Sequence, residues 1–250
     1  MRQDLRLKPY KLPIAQQLKE DDPHNRLHAC QAILHMIDDK PEARENILMT
    51  DESLFTLSNV IHPSQSRVWS PTKPEQPQER PMQPPRILVW CGISAQSIIG
   101  PYYFDNAVNT DTYLEMLQTF LIPTLRRLRL VRRTIFQQDG AGAHTAGRVL
   151  DYLHEVFGDR VISRKCELAW PARSPDLTAP DFFLWGTLKH KVKVRKPTTI
   201  ENLKAVLEEE IQILNQDKSL LNRVLNNAIF RMRECVRKDG GHIRCLKGCH

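Results

Sequence analysis

The sequence contains no run of about 20 consecutive apolar residues, the length needed to cross the hydrocarbon of a bilayer. A membrane-spanning helix is therefore not expected. Residues 1–13 alternate charged and apolar side chains without a continuous apolar core, so this end does not read as a secretory signal. No C-x-x-C pair occurs among the six cysteines, and no internal repeat marks a solenoid or an array. These absences predict a soluble intracellular chain whose thiols are mostly reduced and structural. The exception to weigh is the group His242, Cys245, Cys249 and His250, which has the ligand types of a zinc site but equally reads as a frayed tail.

The 250 residues suit one large domain, or a domain with a small appendage, and the 41% hydrophobic content is enough for a sizeable core. The 36 Lys and Arg outnumber the 29 Asp and Glu, and a net charge of +7 favours anionic partners. Two bursts of basic residues stand out. Arg126, Arg127, Arg129, Arg132 and Arg133 form one; Lys189, Lys191, Lys193, Arg195 and Lys196 form the other. Either reads as a solvated face or as a surface that neutralises phosphates, and the second also has the composition of a nuclear-import signal.

Residues 1–22 look like an arm. Leu27, Cys30, Leu34 and Ile37 then recur at three- and four-residue steps, one face of a helix over 24–37. Strand character follows at 47–57, at 87–91 and at 98–104, with a turn at Ala95-Gln96. The segment 70–86 holds six of the 17 prolines and must be a long loop, since proline removes ladder donors and breaks helices. Asp111 is the expected N-cap of a helix carrying Leu114, Leu117, Leu121 and Leu125 on to Leu128. A short strand at 134–138, a helix at 145–157, a strand at 161–162 and a loop at 170–180 follow. Asp181 opens an aromatic helix, and two more helices come after Thr199. Strands first, then strands alternating with helices, argue a mixed α/β sheet flanked by helices.

Three acids fall at element ends: Asp51 and Asp139 at strands, Asp181 at a helix start. Carboxylate oxygens are hard ligands suited to Mg²⁺ or Mn²⁺, and two such ions about 4 Å apart assist phosphoryl transfer. Each acid also has a structural explanation. Asp51 can simply follow a strand, Asp139-Gly140 is a common turn dipeptide, and Asp181 is placed to cap a helix. Glu52 points away from Asp51 if the strand continues, so it is left out of the group.

The surrounding strings bear on that choice. T-D-E-S at 50–53, V-W-C-G-I-S at 89–94, I-I-G-P-Y-Y-F at 98–104, F-Q-Q-D-G-A-G-A-H at 136–144 and W-P-A-R-S-P-D-L-T-A-P-D-F-F-L-W-G at 170–186 together resemble the mariner-type transposases of the DDE/D superfamily. The resemblance runs from about residue 2 to residue 242. It implies a ribonuclease-H-like fold over 46–198, with the Pro-rich insertion 70–86, preceded by a linker and helix over 1–45 and followed by C-terminal helices and a tail over 199–250. It also implies a site for two Mg²⁺ or Mn²⁺ ions that cuts and joins DNA.

Residue by residue, the resemblance makes Asp51, Asp139 and Asp181 the catalytic metal ligands. His144 and Asp176 become candidates for support around them, with Asp176 ordering its loop. Lys189, Lys191, Lys193, Arg195 and Lys196 become the DNA-contacting set. DNA is the expected partner, a homodimer through the Pro-rich loop a second, and neither a membrane nor a small-molecule cofactor is expected. The implied compartment is the nucleus.

The sequence departs from the family in three ways. The 41 residues between Asp139 and Asp181 exceed the spacing in the best-known mariner elements, and Gly140 and Gly142 replace the more usual Asn or Pro. Met1 falls where a linker from paired helix-turn-helix modules would end, so recognition of transposon ends is not expected of these residues. The competing expectation is a domesticated or decayed module that binds nucleic acid without cutting it.

Overall fold

A computed structural model describes residues 16–57 and 85–243. Most of the Pro-rich insertion, the arm before Gln16, and Cys245, Cys249 and His250 lie outside the described residues. Among the described residues no helix is long and apolar enough to cross a membrane.

Helix α1 (Asp22–Asp39) and the single turn α2 (Ala43–Asn46) lead into a ten-residue strand, β1 (Ile47–Thr56). Strands β2 (Arg86–Ile93) and β3 (Ile98–Phe104) follow as a meander. The chain then runs through α3 (Thr110–Met116), a π turn at Leu117–Leu121, and α4 (Ile122–Arg127). The short strands β4 (Ile135–Gln137) and β5 (Val161–Ile162) bracket α5 (Gly147–Phe157). A second π turn, Pro180–Leu184, opens α6 (Trp185–Arg195), and α7 (Ile200–Gln216) and α8 (Lys218–Arg237) come last.

The sheet order is β3-β2-β1-β4-β5. β1 pairs antiparallel with β2 and parallel with β4, and β5 continues the parallel half. β1 is therefore central and buried on both faces, which is why its sequence, I-L-M-T, reads as an apolar run rather than an alternation. Met49 and Phe55 face a core shared with α1, α6, α7 and α8. Leu48 faces the other core, with Trp90, Tyr113, Phe136 and Phe157 against α3, α4 and α5. Burying a side chain of this size contributes about 1.5–3 kcal/mol each.

Two expectations need correction. Asn109, not Asp111, caps α3: its Oδ1 accepts from the amides of Asp111 and Thr112 at 2.9 and 3.0 Å, and Thr112 Oγ1 accepts from the Asn109 amide. Asp111 instead pairs with Arg148 on α5. The leucine stripe is not one uninterrupted helix either. Pro123 has no N–H to give to Thr119, and the ladder widens to the π turn just before it.

Candidate active site

Met49 on β1 pairs with Gln137 on β4, so Asp51 and Asp139 each lie two residues beyond the same rung of a parallel pair. Asp139 lies beyond the carboxyl end of β4, where an α/β sheet presents functional side chains, whereas Asp51 sits within β1 opposite Cys91 of β2 and not, as expected from the sequence, after a strand. Asp181 comes from outside the sheet, on the first turn of the π segment that opens α6. The three acids line one cavity of about 390 Å³, together with Thr50, Arg164, Thr178 and the 170–175 loop.

Each acid has one oxygen held by a dedicated donor. The indole Nε1 of Trp185 donates to Asp51 Oδ2 at 2.7 Å. Thr178 Oγ1 donates to Asp181 Oδ2 at 3.0 Å. His144 Nδ1 meets Asp139 Oδ1 at 2.6 Å, and the amide of Ala141 donates to the same oxygen at 3.0 Å. Trp185 and Thr178 carry no signal as supporting residues in the sequence. A tryptophan in D-F-F-L-W-G reads as core, and it is indeed edge-on to Phe55 at 6.1 Å.

The charges are unbalanced. Burial pushes the Asp51 carboxyl up to about 8, the negative charges of Asp181 and Glu52 add to this, and the Trp185 bond opposes it. Burial likewise raises Asp181 to about 6, with Thr178 opposing and Asp139 adding. Burial also works against ionisation of Asp139, but the His144 imidazole beside it wins and holds this carboxyl below its ordinary range. His144 itself is raised to about 10: burial disfavours its charge, and Asp139 and Glu52 more than compensate. Two carboxyls that resist ionisation side by side mark a pocket short of positive charge.

This donor set fits a hard divalent cation by its chemistry: oxygen ligands, negative charge and room. The geometry is looser. Among the described residues no three His, Cys, Asp or Glu side chains stand around a single point. The carboxylates share a cavity rather than a vertex, and two ions about 4 Å apart need only pairs of them.

His144 stands against Asp139. Asp176 stands elsewhere: Arg26 grips it with Nη1 to Oδ1 at 2.9 Å and Nη2 to Oδ2 at 2.8 Å, and the Ile243 amide donates to Oδ2 at 2.9 Å. Arg26, itself 0% exposed, also donates to Ser174 Oγ and to the Gly240 carbonyl. Asp176 thus clasps the 170–180 loop between α1 and the end of α8. Gly240 is part of the clasp, because a Cβ there would fall 1.8 Å from the Pro23 carbonyl oxygen.

Of the five basic residues on and after α6, Lys191 and Arg195 pair with Glu210 at 3.2 Å each, and Arg195 also pairs with Glu209. They tie α6 to α7. Lys189 lies over the Phe55 ring and lowers Asp181 by its charge, while Lys193 and Lys196 are exposed. Gly140 leaves room for a neighbour: a Cβ would stand 2.8 Å from Arg164 Cδ, whereas Gly142 has nothing within 4 Å. Glu52, set aside by the alternation argument, reaches His144 Nε2 at 3.4 Å and so belongs to the site's surroundings.

No protein-family profile matches the chain. In sequence it is similar to the Tc3 transposase of Caenorhabditis elegans, 28% identical over 162 residues, covering 63% of this chain and 45% of that one. It is also similar to the mariner Mos1 transposase of Drosophila mauritiana, 24% identical over 241 residues, covering 92% and 65%. The chain thus spans about half to two thirds of the length of these relatives. In structure it matches a Mos1 paired-end complex with the left transposon end, with a TM-score of 0.78 at 23% identity, covering 97% of this chain and 69% of that one. It matches the Mos1 catalytic domain with a TM-score of 0.70 at 21% identity, covering 92% of this chain and all of that one. The mixed five-stranded sheet flanked by helices is the ribonuclease-H-like fold of that domain. The resemblance to mariner-type transposases read in the motifs is borne out in sequence and in fold.

Proposed function

We propose that this relative of the mariner-type transposases is a catalytic domain that binds DNA and breaks or joins phosphodiester bonds with Mg²⁺ or Mn²⁺. One observation carries the reading: Asp51, Asp139 and Asp181, far apart in the chain, line one cavity, and each has an oxygen fixed by its own donor. Asp51, Asp139 and Asp181 would hold the ions. The bound ions would supply Lewis acidity and lower the pKa of an attacking water.

The chain's own contribution is orientation. Trp185, His144 and Thr178 occupy one oxygen of each acid and leave the other for a ligand. Lys189, Lys193 and Lys196, with Arg164 at the cavity wall, supply the positive surface that a phosphate backbone requires. That structures of Mos1 hold DNA ends, and that its catalytic domain holds Mn or Mg, supports DNA and a divalent ion here.

A second reading, a nucleic-acid-binding module without catalysis, is favoured by the absence, among the described residues, of three ligand side chains around one point. One experiment separates the two. Supercoiled plasmid is incubated with the protein and Mn²⁺, comparing wild type with Asp139→Ala. Nicking that falls at least about 100-fold in the variant is the expected result. Equal nicking in both, or DNA binding with no metal-dependent cleavage by wild type, leaves only the binding module.

A further inference from the structure

Alternation along β1 sends Glu52 to the opposite face from Asp51, and there it meets His144. The imidazole lies between two carboxylates: Asp139 Oδ1 at 2.6 Å from Nδ1 and Glu52 Oε1 at 3.4 Å from Nε2. The residue is 3% exposed. The Tyr113 ring covers it, with centroids 4.2 Å apart, and Gln138 Nε2 donates to its backbone carbonyl at 2.9 Å. Tyr113 in turn donates to Gln138 Oε1 at 2.8 Å, so backbone, ring face and both ring nitrogens are fixed by different neighbours. Glu52 Oε1 is buried and forms no hydrogen bond of its own. A buried carboxylate oxygen without a bond is costly unless a charge faces it, and the imidazole edge is what faces it.

From this geometry we infer that Glu52 is a positioning residue for the proposed metal site, acting through His144 on Asp139. It draws Nε2 toward β1, which aims Nδ1 at Asp139 Oδ1. With Oδ1 also taking the Ala141 amide, the carboxylate cannot rotate, and Oδ2 is left to the cavity. Supporting partners of metal ligands set affinity in this way, and their loss commonly costs about 10–100-fold. The inference rests on the proposed function only in taking Asp139 as a metal ligand.

The test uses the full chain, with Glu52→Ala and the isosteric Glu52→Gln. In metal-free protein, the imidazole ¹H–¹⁵N resonances of His144 report whether Nε2 faces Glu52. Calorimetric titration with Mn²⁺ alone, without DNA, reports the site. The expected result is a displaced Nε2 resonance and Mn²⁺ affinity reduced about tenfold in Glu52→Ala, with a change of the same sign in Glu52→Gln, which keeps the side chain's shape but loses the charge that faces the imidazole. If Glu52→Ala fails to fold, Glu52→Gln alone decides. An unmoved resonance overturns the inference, and so does a moved resonance with unchanged Mn²⁺ affinity. Wild type that binds Mn²⁺ in a Glu52-dependent way but nicks no plasmid would sink the proposed function and leave this inference standing.

Discussion

The indole N–H of Trp185 donates to Oδ2 of Asp51 at 2.7 Å, joining the first turn of α6 to the central strand. A hydrogen bond to the ionised form of an acid lowers its pKa, and here it is one of the few influences that do so against burial and two neighbouring carboxylates. Trp185→Phe keeps a ring against Phe55 and removes the donor, along with part of the buried ring volume. The expected outcome is metal-dependent nicking reduced about tenfold near pH 7, with the loss shrinking as pH rises. A pH–rate profile for both proteins checks it, and superimposable profiles would refute it.

Asp51 also makes stability depend on pH. In the unfolded chain it ionises near 3.8; in the folded chain it ionises only near 8. Between those values the folded state holds a proton that the unfolded state has released, so this contribution is intact below about pH 4 and is lost as pH rises toward 8. Asp51→Asn has no carboxyl there to titrate. Relative to wild type, it should gain at least about 2 kcal/mol between about pH 4.5 and about pH 8 in metal-free buffer, since one pKa unit is worth about 1.4 kcal/mol. Urea denaturation at the two pH values measures this, and a constant difference between the proteins would contradict it.

Removing one partner of the clasp should be expensive. Arg26→Met leaves the Asp176 carboxylate half-enclosed without its cation and leaves the Gly240 carbonyl without its donor. The expected loss is about 3 kcal/mol, read as a lower urea midpoint. A loss under about 1 kcal/mol would mean that the loop is held by other contacts.

The basic residues of α6 should divide into two kinds. Lys193→Ala with Lys196→Ala is expected to weaken duplex binding regardless of sequence and to flatten the salt dependence by roughly two units of slope, about 0.9 for each phosphate no longer neutralised. Lys191→Ala with Arg195→Ala strips the buried Glu210 of its partners and should instead lower stability, by about 1 kcal/mol. Fluorescence anisotropy across a salt series, with thermal melts of both variants, tells these apart. Equal slopes in all three proteins would remove α6 from the DNA surface.

The strands are legible because β1, β2 and β3 carry apolar runs bounded by turn residues, and the three acids because they lie within recognisable strings, although Asp51 sits in the middle of β1 rather than after a strand. What is not legible depends on neighbours distant in sequence. Lys191 and Arg195 look like free cations until α7 folds back and brings Glu209 and Glu210 to them. Alternation gives the direction of Glu52 correctly and its consequence wrongly. Asp139 lies beyond the end of β4, so its turn carries His144 to the other face of the sheet and the site extends to both. The π turns escape a helical period by construction, and at Pro123 only the missing N–H hints at one. Most of the Pro-rich insertion, and Cys245, Cys249 and His250 of the tail, lie outside the described residues and keep their expectations, while His242 is described and turns to Gln16 and Asp176.

His242 Nε2 donates to the Gln16 carbonyl at 2.6 Å, and Gln16 stands on the wall of the acid-lined cavity. The first and last described stretches of the chain are thus neighbours. A circular permutant that joins them through a short linker and opens the chain at Gln96, the exposed residue of the β2–β3 turn, would sever no strand pairing and would keep the Arg26 clasp intact. Any segment fused ahead of Gln16 is delivered to the rim of that cavity rather than to a remote surface.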